Sequence, residues 1–181
     1  NKNSSVNPIY NGKGEILVTQ YNFVPMISLS WTHEQYYVMD RNQKVYVRSD
    51  YPTFKVEFAQ SIDGALGGKS SYNRVEFDVN QRLRFGLMKS LNYHAGFGFF
   101  SRQKNEYFND FAYFAKSYFP ESWGDGIGGG FSVLRYHYYN STDKYAQAHL
   151  MYETSSFLFT RLRGLSSGVA RERIYLSQLY T

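Results

Sequence analysis

In residues 71–87, SYNRVEFDVNQRLRFGL, polar and apolar residues alternate from Arg74 onward, and Gln81 is the one interruption. Because successive side chains of a β-strand point to opposite faces, this pattern predicts a long strand with its charges on one side. The polar row is Arg74, Glu76, Asp78, Asn80, Arg82 and Arg84, and the apolar row is Val75, Phe77, Val79, Leu83, Phe85 and Leu87. Such a strand requires a different environment for each of its faces.

The same period of two recurs in MISLSWTHEQ (26–35), FKVEFAQSI (54–62) and SLNYHAGFGFF (90–100). No helix is predicted between most of these segments, so the sheet is expected to be antiparallel. We predict strands near residues 15–38 (in one or two pieces), 44–62, 71–87, 90–102, 130–139, 144–160 and 171–180. Several are much longer than the ~5–6 residues usual in globular proteins.

Long strands with one continuous apolar face are typical of barrels that span a membrane. We therefore predict an all-β fold, an antiparallel up-and-down transmembrane β-barrel. Residues 1–181 would form a single domain and supply about seven or eight strands of a larger barrel. Strands beyond this segment would complete the closure.

The predicted connections alternate between short and long, as outer-membrane barrels do with periplasmic turns and external loops. In a meander, this order would place every short turn at one rim and every long loop at the other. The short connections are 39–44, 88–90 and 140–143, and the longer ones are 64–71, 103–129 and 161–170.

The longest of these connections, residues 103–129, is too long to be an idle loop in a compact domain. Its aromatic residues between Tyr107 and Tyr118 follow a three-and-four spacing, which predicts about three turns of amphipathic helix before Pro120. We expect this loop either to project outward or to fold into the lumen.

Composition excludes several classes. Aromatic residues make up 19% of the chain, which favours strands, and no apolar run approaches the ~18 residues of a helical membrane span. The absence of cysteine excludes disulfides and thiol chemistry. The net charge of +5 is scattered, so no nucleic acid partner is expected. No leader is recognised at the first residues, NKNSSVNP.

Residues 136–162, YHYYNSTDKYAQAHLMYETSSFLFTRL, and 170–181, ARERIYLSQLYT, resemble the C-terminal barrel of a Bacteroidota outer-membrane family of unknown function. Residues 49–77 and the NDFAYF segment share the likeness. Members of this family usually place the barrel after a carboxypeptidase-regulatory-like domain. The family is distantly similar to the surface-antigen superfamily of outer-membrane assembly barrels, although residues 103–129 lack that superfamily's Arg-Gly-aromatic motif.

The segment FSVLRYHYYNSTDKYAQAHLMYET (131–154) contains possible metal ligands and a glycosylation sequon at Asn140. On one strand, however, His149 and Glu153 would lie about 13 Å apart, too far to bind one ion directly. Asn140 is better explained by a tight turn, so we interpret the segment as one hairpin. No nucleophile elbow is present. We expect no catalytic residue, metal or cofactor.

The alternation assigns each residue to a side of the barrel. We predict a lumen-facing polar network of Lys55, Glu57, Arg74, Glu76, Arg82, Arg84, Arg135, His137, His149 and Glu153. We predict lipid-facing positions at Ile27, Leu29, Trp31, Val75, Phe77, Val79, Leu83 and Phe85. Both charge signs occur in the polar set, which favours a network that stiffens the barrel over a selectivity filter.

The function expected from these patterns is a non-catalytic structural, assembly or envelope-complex role in the bacterial outer membrane. The partners would be outer-membrane lipid or lipopolysaccharide, and other envelope proteins in a complex. Two alternatives remain open at this point. The first is a channel or transporter for small solutes or polypeptide, and the second is a soluble β-barrel that binds an apolar ligand.

Overall fold

The computed structural model describes residues 22–68, 70–86, 89–104, 110–115, 130–132, 134, 138–155 and 171–181. Over these residues the chain is all-β and its strand pairs are antiparallel, which confirms that part of the predicted fold class. The strands are β1 (Met26–Thr32), β2 (Tyr36–Asp40), β3 (Gln43–Arg48), β4 (Thr53–Ser61), β5 (Ser71–Arg84), β6 (Lys89–Lys104), β7 (Ala112–Ala115), β8 (Tyr138–Ser141), β9 (Lys144–Thr154) and β10 (Glu172–Tyr180). In this part of the chain, no helix is long and apolar enough to cross a membrane.

Six strands form the main sheet in the order β1-β4-β5-β6-β9-β10. The pair β5–β6 is the longest, and its register runs from Ser71 opposite Lys104 to Arg84 opposite Ser90. Within the described residues this sheet does not close, and β1 and β10 are its edges. The number of strands in a complete barrel therefore stays a prediction.

Strands β2 and β3 form a separate hairpin that continues from the paired ends of β1 and β4. At its tip, Arg41 and Asn42 have φ angles of 44° and 68°. Two central residues with positive φ make the type I′ turn that matches the right-handed twist of the flanking strands. The predicted strand 44–62 is thus divided, because residues 49–52 lie between β3 and β4.

The predicted hairpin in residues 131–154 is wrong. β8 pairs with β7, while β9 pairs with β6 on one side and β10 on the other. The turn at Thr142 and Asp143 therefore joins two sheets and does not reverse the chain within one. The reason is that β9 begins at the same end of the main sheet at which β6 ends, and the described strands between them, β7 and β8, pair only with each other.

This return also changes which connections share an end of the sheet. β9 ends and β10 begins at the end of the sheet where β5 ends and β6 begins, and the turn at Thr142 lies at the opposite end. The predicted separation of short and long connections is therefore wrong for these two. It holds only for the hairpins that precede β7.

The helix predicted between Tyr107 and Tyr118 is wrong over Ala112–Ala115, which form strand β7. Cross-strand pairing with β8, from Ala112 opposite Ser141 to Ala115 opposite Tyr138, holds these residues extended. In a strand the buried side chains are Ala112 and Phe114, two positions apart. Residues 105–109 and 116–129 of the predicted loop lie outside the described residues.

Candidate functional site

The register of the six-stranded sheet collects most of the predicted polar network on one face, which we call the polar face. Direct partners in the register share a face, so Lys55 lies beside Asp78, Glu57 beside Glu76, and Arg84 beside Ser90. The predicted members on this face are Lys55, Glu57, Arg74, Glu76, Arg82, Arg84, His149 and Glu153. Arg135 and His137 lie outside the described residues. That this face lines a lumen stays a prediction.

The opposite face, the apolar face, carries the residues predicted to contact lipid. Ile27, Leu29, Trp31, Val75, Phe77, Val79 and Leu83 all lie on it, and Phe85 follows the end of β5 and is exposed. Ile27 is 73% exposed and Leu29 is 68% exposed. The further exposed large apolar side chains of this face are Trp31, Val56, Phe58, Phe77, Phe97, Phe99, Leu150, Ile174, Leu176 and Tyr180.

The sheet is thus inverted relative to a soluble sheet, because its polar face contains the buried residues. His149 and Met151 are each 1% exposed, and Ser90, Asn92 and Glu153 are also buried. In water-soluble proteins the burial runs the other way, with the apolar side of each strand in the core. The buried residues of the polar face lie on β4, β5, β6 and β9, whereas β1 and β10, the edge strands of the described sheet, contain no buried residue.

At the β4–β5 end of the polar face, charges of both signs form a chain across two strands. Lys55 Nζ lies 3.0 Å from Glu57 Oε2, and Arg74 lies between Glu57 (Nη2 to Oε1, 3.7 Å) and Glu76 (Nε to Oε2, 3.4 Å). The hydroxyl of Tyr145 donates a hydrogen bond to Glu76 Oε1 and extends the chain to β9. This cluster joins β4, β5 and β9 through side chains alone.

A glycine in β6 allows the side chain of Tyr145 to lie over that strand and reach Glu76 on β5. Gly98 of β6 lies between Glu76 and Tyr145 in the register, and the tyrosine ring occupies the space where a Gly98 side chain would be. Glycine in a strand interior often marks such a close approach. The aromatic ring therefore replaces the missing side chain and covers the backbone of β6.

We expect Gly98→Ala to lower the free energy of unfolding by about 1–3 kcal/mol, because the added methyl group overlaps the ring of Tyr145. A urea titration in detergent micelles measures the loss. In a Tyr145→Ala background the same change should be neutral or slightly stabilising, since alanine is favoured over glycine in a strand. An equal loss in both backgrounds would show that Gly98 is required for another reason.

Aromatic side chains from outside the main sheet cover this end of the polar face. The ring centroids of Phe114 and Tyr145 are 4.8 Å apart, and those of Phe131 and His149 are 4.6 Å apart. Phe114, Phe131 and Tyr145 form a buried hydrophobic cluster with Tyr72, Phe100 and Ala112. The described parts of the segment after β6 therefore lie against the polar face.

The middle of the polar face contains two histidines in separate pairs. His94 Nε2 lies 2.9 Å from Asp78 Oδ1, and His149 Nδ1 lies 3.1 Å from Ser177 Oγ. The two rings stack with centroids 5.6 Å apart. A hydrolase triad needs one histidine between the acid and the serine, and here the two contacts belong to different histidines. Within the described residues, no group of three potential metal ligands lies together.

At the β5–β6 turn end, Glu153 of β9 is surrounded by arginines. Its carboxylate lies 2.7 Å from Arg173 Nε, 3.4 Å from Arg171 Nη1 and 3.7 Å from Arg82 Nη2. The Glu153 side chain is only 8% exposed. Beside it is a cavity of about 240 Å³, which Arg84, Lys89 and Ser90 also line. We call this cavity the arginine pocket.

Several residues of these clusters were not identified from the sequence pattern as site residues. Asp78 and His94 could have been added, because both fall in the polar rows of strands that the alternation predicts. Ser90 could have been placed opposite Arg84 from the short β5–β6 connection, with Lys89 next to it in the chain. No sequence signal places Arg171 and Arg173 beside Glu153. A long connection separates the two strands, and alternation within each strand does not fix how the strands are aligned.

Comparison with known proteins gives one match. The whole chain, residues 1–181, matches the family model described as "Family of unknown function (DUF5686) C-terminal domain". No curated protein and no solved structure matches significantly.

Proposed function

The chain belongs to the DUF5686 C-terminal domain family of unknown function, and from this premise we propose that it forms part of an outer-membrane β-barrel. Its role would be structural or in assembly within the bacterial cell envelope, without catalysis. The placement in a Bacteroidota envelope rests on the resemblance of residues 136–162 to such barrels.

The inverted sheet is the observation that carries this proposal. The apolar face exposes large side chains on all six strands, whereas monomeric soluble proteins rarely expose apolar patches beyond a few hundred Å². In a bilayer this face would contact hydrocarbon, and the ladder hydrogen bonds of the sheet would satisfy the backbone. The soluble-barrel alternative requires Ile27, Leu29 and Trp31 to be buried, and their exposure argues against it.

Buried polar atoms on the polar face also support the barrel proposal. Buried polar atoms with no hydrogen-bond partner within the described part of the chain include both side-chain atoms of Asn92, His149 Nε2 and Tyr175 OH. Buried polar groups in proteins are normally paired with protein or water. A hydrated barrel interior would supply that water.

Aromatic side chains that cover part of the polar face favour a structural role over a channel. Phe114 and Phe131 pack on Tyr145 and His149, which narrows the space that a solute would use. Ion pairs of Glu57 and Glu153 bridge neighbouring strands and favour a rigid wall. The separate pairs of His94 and His149 give no support to catalysis.

Membrane extraction tests the proposal. We expect the protein to remain with membranes after alkaline carbonate and urea washes, and to be released by detergent. Aggregates also resist such washes, so the purified protein should be reconstituted into lipid vesicles and floated on a density gradient. Flotation that survives carbonate treatment supports an integral barrel. Release by carbonate without detergent, or failure to float, would contradict it.

A further inference from the structure

We propose that the arginine pocket binds a phosphate group. The cavity lies on the polar face where β5, β6 and β9 meet, and it is lined by Arg82, Arg84, Lys89, Ser90, Glu153 and Arg171. Four of these residues are cationic and one is anionic, so the lining carries a net charge of +3. A cavity of about 240 Å³ with this charge selects an anion.

Among the described residues, some cationic side chains of the arginine pocket form ion pairs and others do not, and the unpaired ones indicate where a ligand would bind. Arg82 and Arg171 both pair with Glu153. Arg84 and Lys89 form no ion pair within the part of the chain that the structure describes. Glu153 therefore holds one side of the pocket together, and the charges on the other side are available to a ligand.

A buried hydroxyl gives a second, independent indication. Ser90 is 4% exposed, it lines the pocket, and its Oγ has no hydrogen-bond partner among the described residues. A buried polar atom without a partner is costly, which indicates that a bound group or water completes the site. Ser90 lies between Arg84 and Glu153 in the register, so these three residues share the polar face at this end of the sheet.

Phosphate fits these donors better than a carboxylate does. Guanidinium groups present planar forks that match phosphate oxygens, and lysine adds a point charge. A phosphate dianion also offsets more of the +3 charge than a monoanion would. The phosphate could be free or could be the terminal phosphomonoester of a lipid headgroup, since both present terminal oxygens and both form a dianion.

The test is calorimetric titration of the folded full chain in a non-ionic, phosphate-free detergent. Sodium phosphate is compared with sodium chloride at constant ionic strength, and we expect binding of phosphate and none of chloride. Lys89→Gln and Arg84→Gln should each weaken phosphate binding about tenfold, because each removes one charge-assisted contact. Both side chains are exposed, so their replacement should leave folding intact.

Lys104→Gln is the matched control, since Lys104 is also an exposed lysine of β6 but lies at the opposite end of the strand. It should leave phosphate affinity unchanged. No binding by the unaltered protein would overturn the proposal. An equal loss in Lys89→Gln and Lys104→Gln would also overturn it, because attraction to the overall positive charge would then explain the binding.

Two short-chain lipids distinguish the sources of the phosphate. Dihexanoyl phosphatidic acid carries a terminal phosphate, and dihexanoyl phosphatidylcholine carries the same chains without net charge. If inorganic phosphate and phosphatidic acid bind alike, the pocket recognises the phosphate group alone. If phosphatidic acid binds more tightly and Lys89→Gln weakens it, the ligand is a lipid headgroup. Equal binding of both lipids, insensitive to Lys89→Gln, would refute phosphate recognition.

Discussion

Replacing Glu153 with glutamine is expected to lower the free energy of unfolding by about 3 kcal/mol. The change keeps the size of the side chain but removes the carboxylate that Arg82, Arg171 and Arg173 share. Removing one partner of a buried ion pair costs ~3–5 kcal/mol, because the remaining charges stay desolvated. The lower end applies here, since the Arg171 side chain is 54% exposed. Urea titration in micelles gives the value.

Two companion variants decide whether the loss comes from the arginines. Glu34→Gln removes an exposed carboxylate, whose side chain is 69% exposed, and should change stability by less than about 0.5 kcal/mol. Combining Glu153→Gln with Arg173→Gln should cost less than the sum of the single changes, because these two groups lie 2.7 Å apart. Strict additivity would contradict the role of Glu153 as the shared counter-ion.

The second large effect concerns Val79, near the middle of β5 on the apolar face, between Phe54 and Ala95. In the proposed barrel, Val79→Arg places a charge near the bilayer midplane and should cost about 2–4 kcal/mol. A sheet whose apolar face met water would accept arginine within about 0.5 kcal/mol. Folding yield and unfolding free energy in lipid vesicles measure the difference.

Neighbouring positions supply the controls for Val79. Asn80 is the next residue and lies on the polar face, so Asn80→Arg should cost much less. Leu83 shares the apolar face but lies about 13 Å farther along the strand, so Leu83→Arg should cost about 1 kcal/mol or less near the interface. Similar losses at Val79 and Leu83 would contradict a membrane-dependent cost and would indicate lost packing.

Much of the main sheet could be predicted from alternation because the period of a strand is exactly two. Val75 and Phe77 must share one face, and Arg74 and Glu76 the other, whatever the partner strands are. The turn between β5 and β6 is short, so their register could also be anticipated, with Arg84 opposite Ser90. Local geometry alone determines these features.

The segment around Phe114 and β8 could not be predicted in the same way. Its three-and-four spacing is compatible with a helix, yet Ala112–Ala115 are extended because β8 offers backbone partners and Tyr145 offers an aromatic contact. Likewise, Tyr138 and its neighbours alternate as a strand should, but alternation does not state which strand they pair with. Both outcomes depend on contacts between residues distant in sequence.

By itself, the sequence determined that this protein is all-β and antiparallel, and which side chains share each face of its long strands. It did so because the backbone of a strand imposes the alternation locally. Only the tertiary structure decided that β9 lies between β6 and β10, that Tyr145 covers Gly98, and that three arginines meet at Glu153. In these arrangements, strands and side chains that are far apart in the sequence pair with each other. The free energy of packing selects the partner of each strand, and the local alternation of polar and apolar residues does not indicate which partner it is.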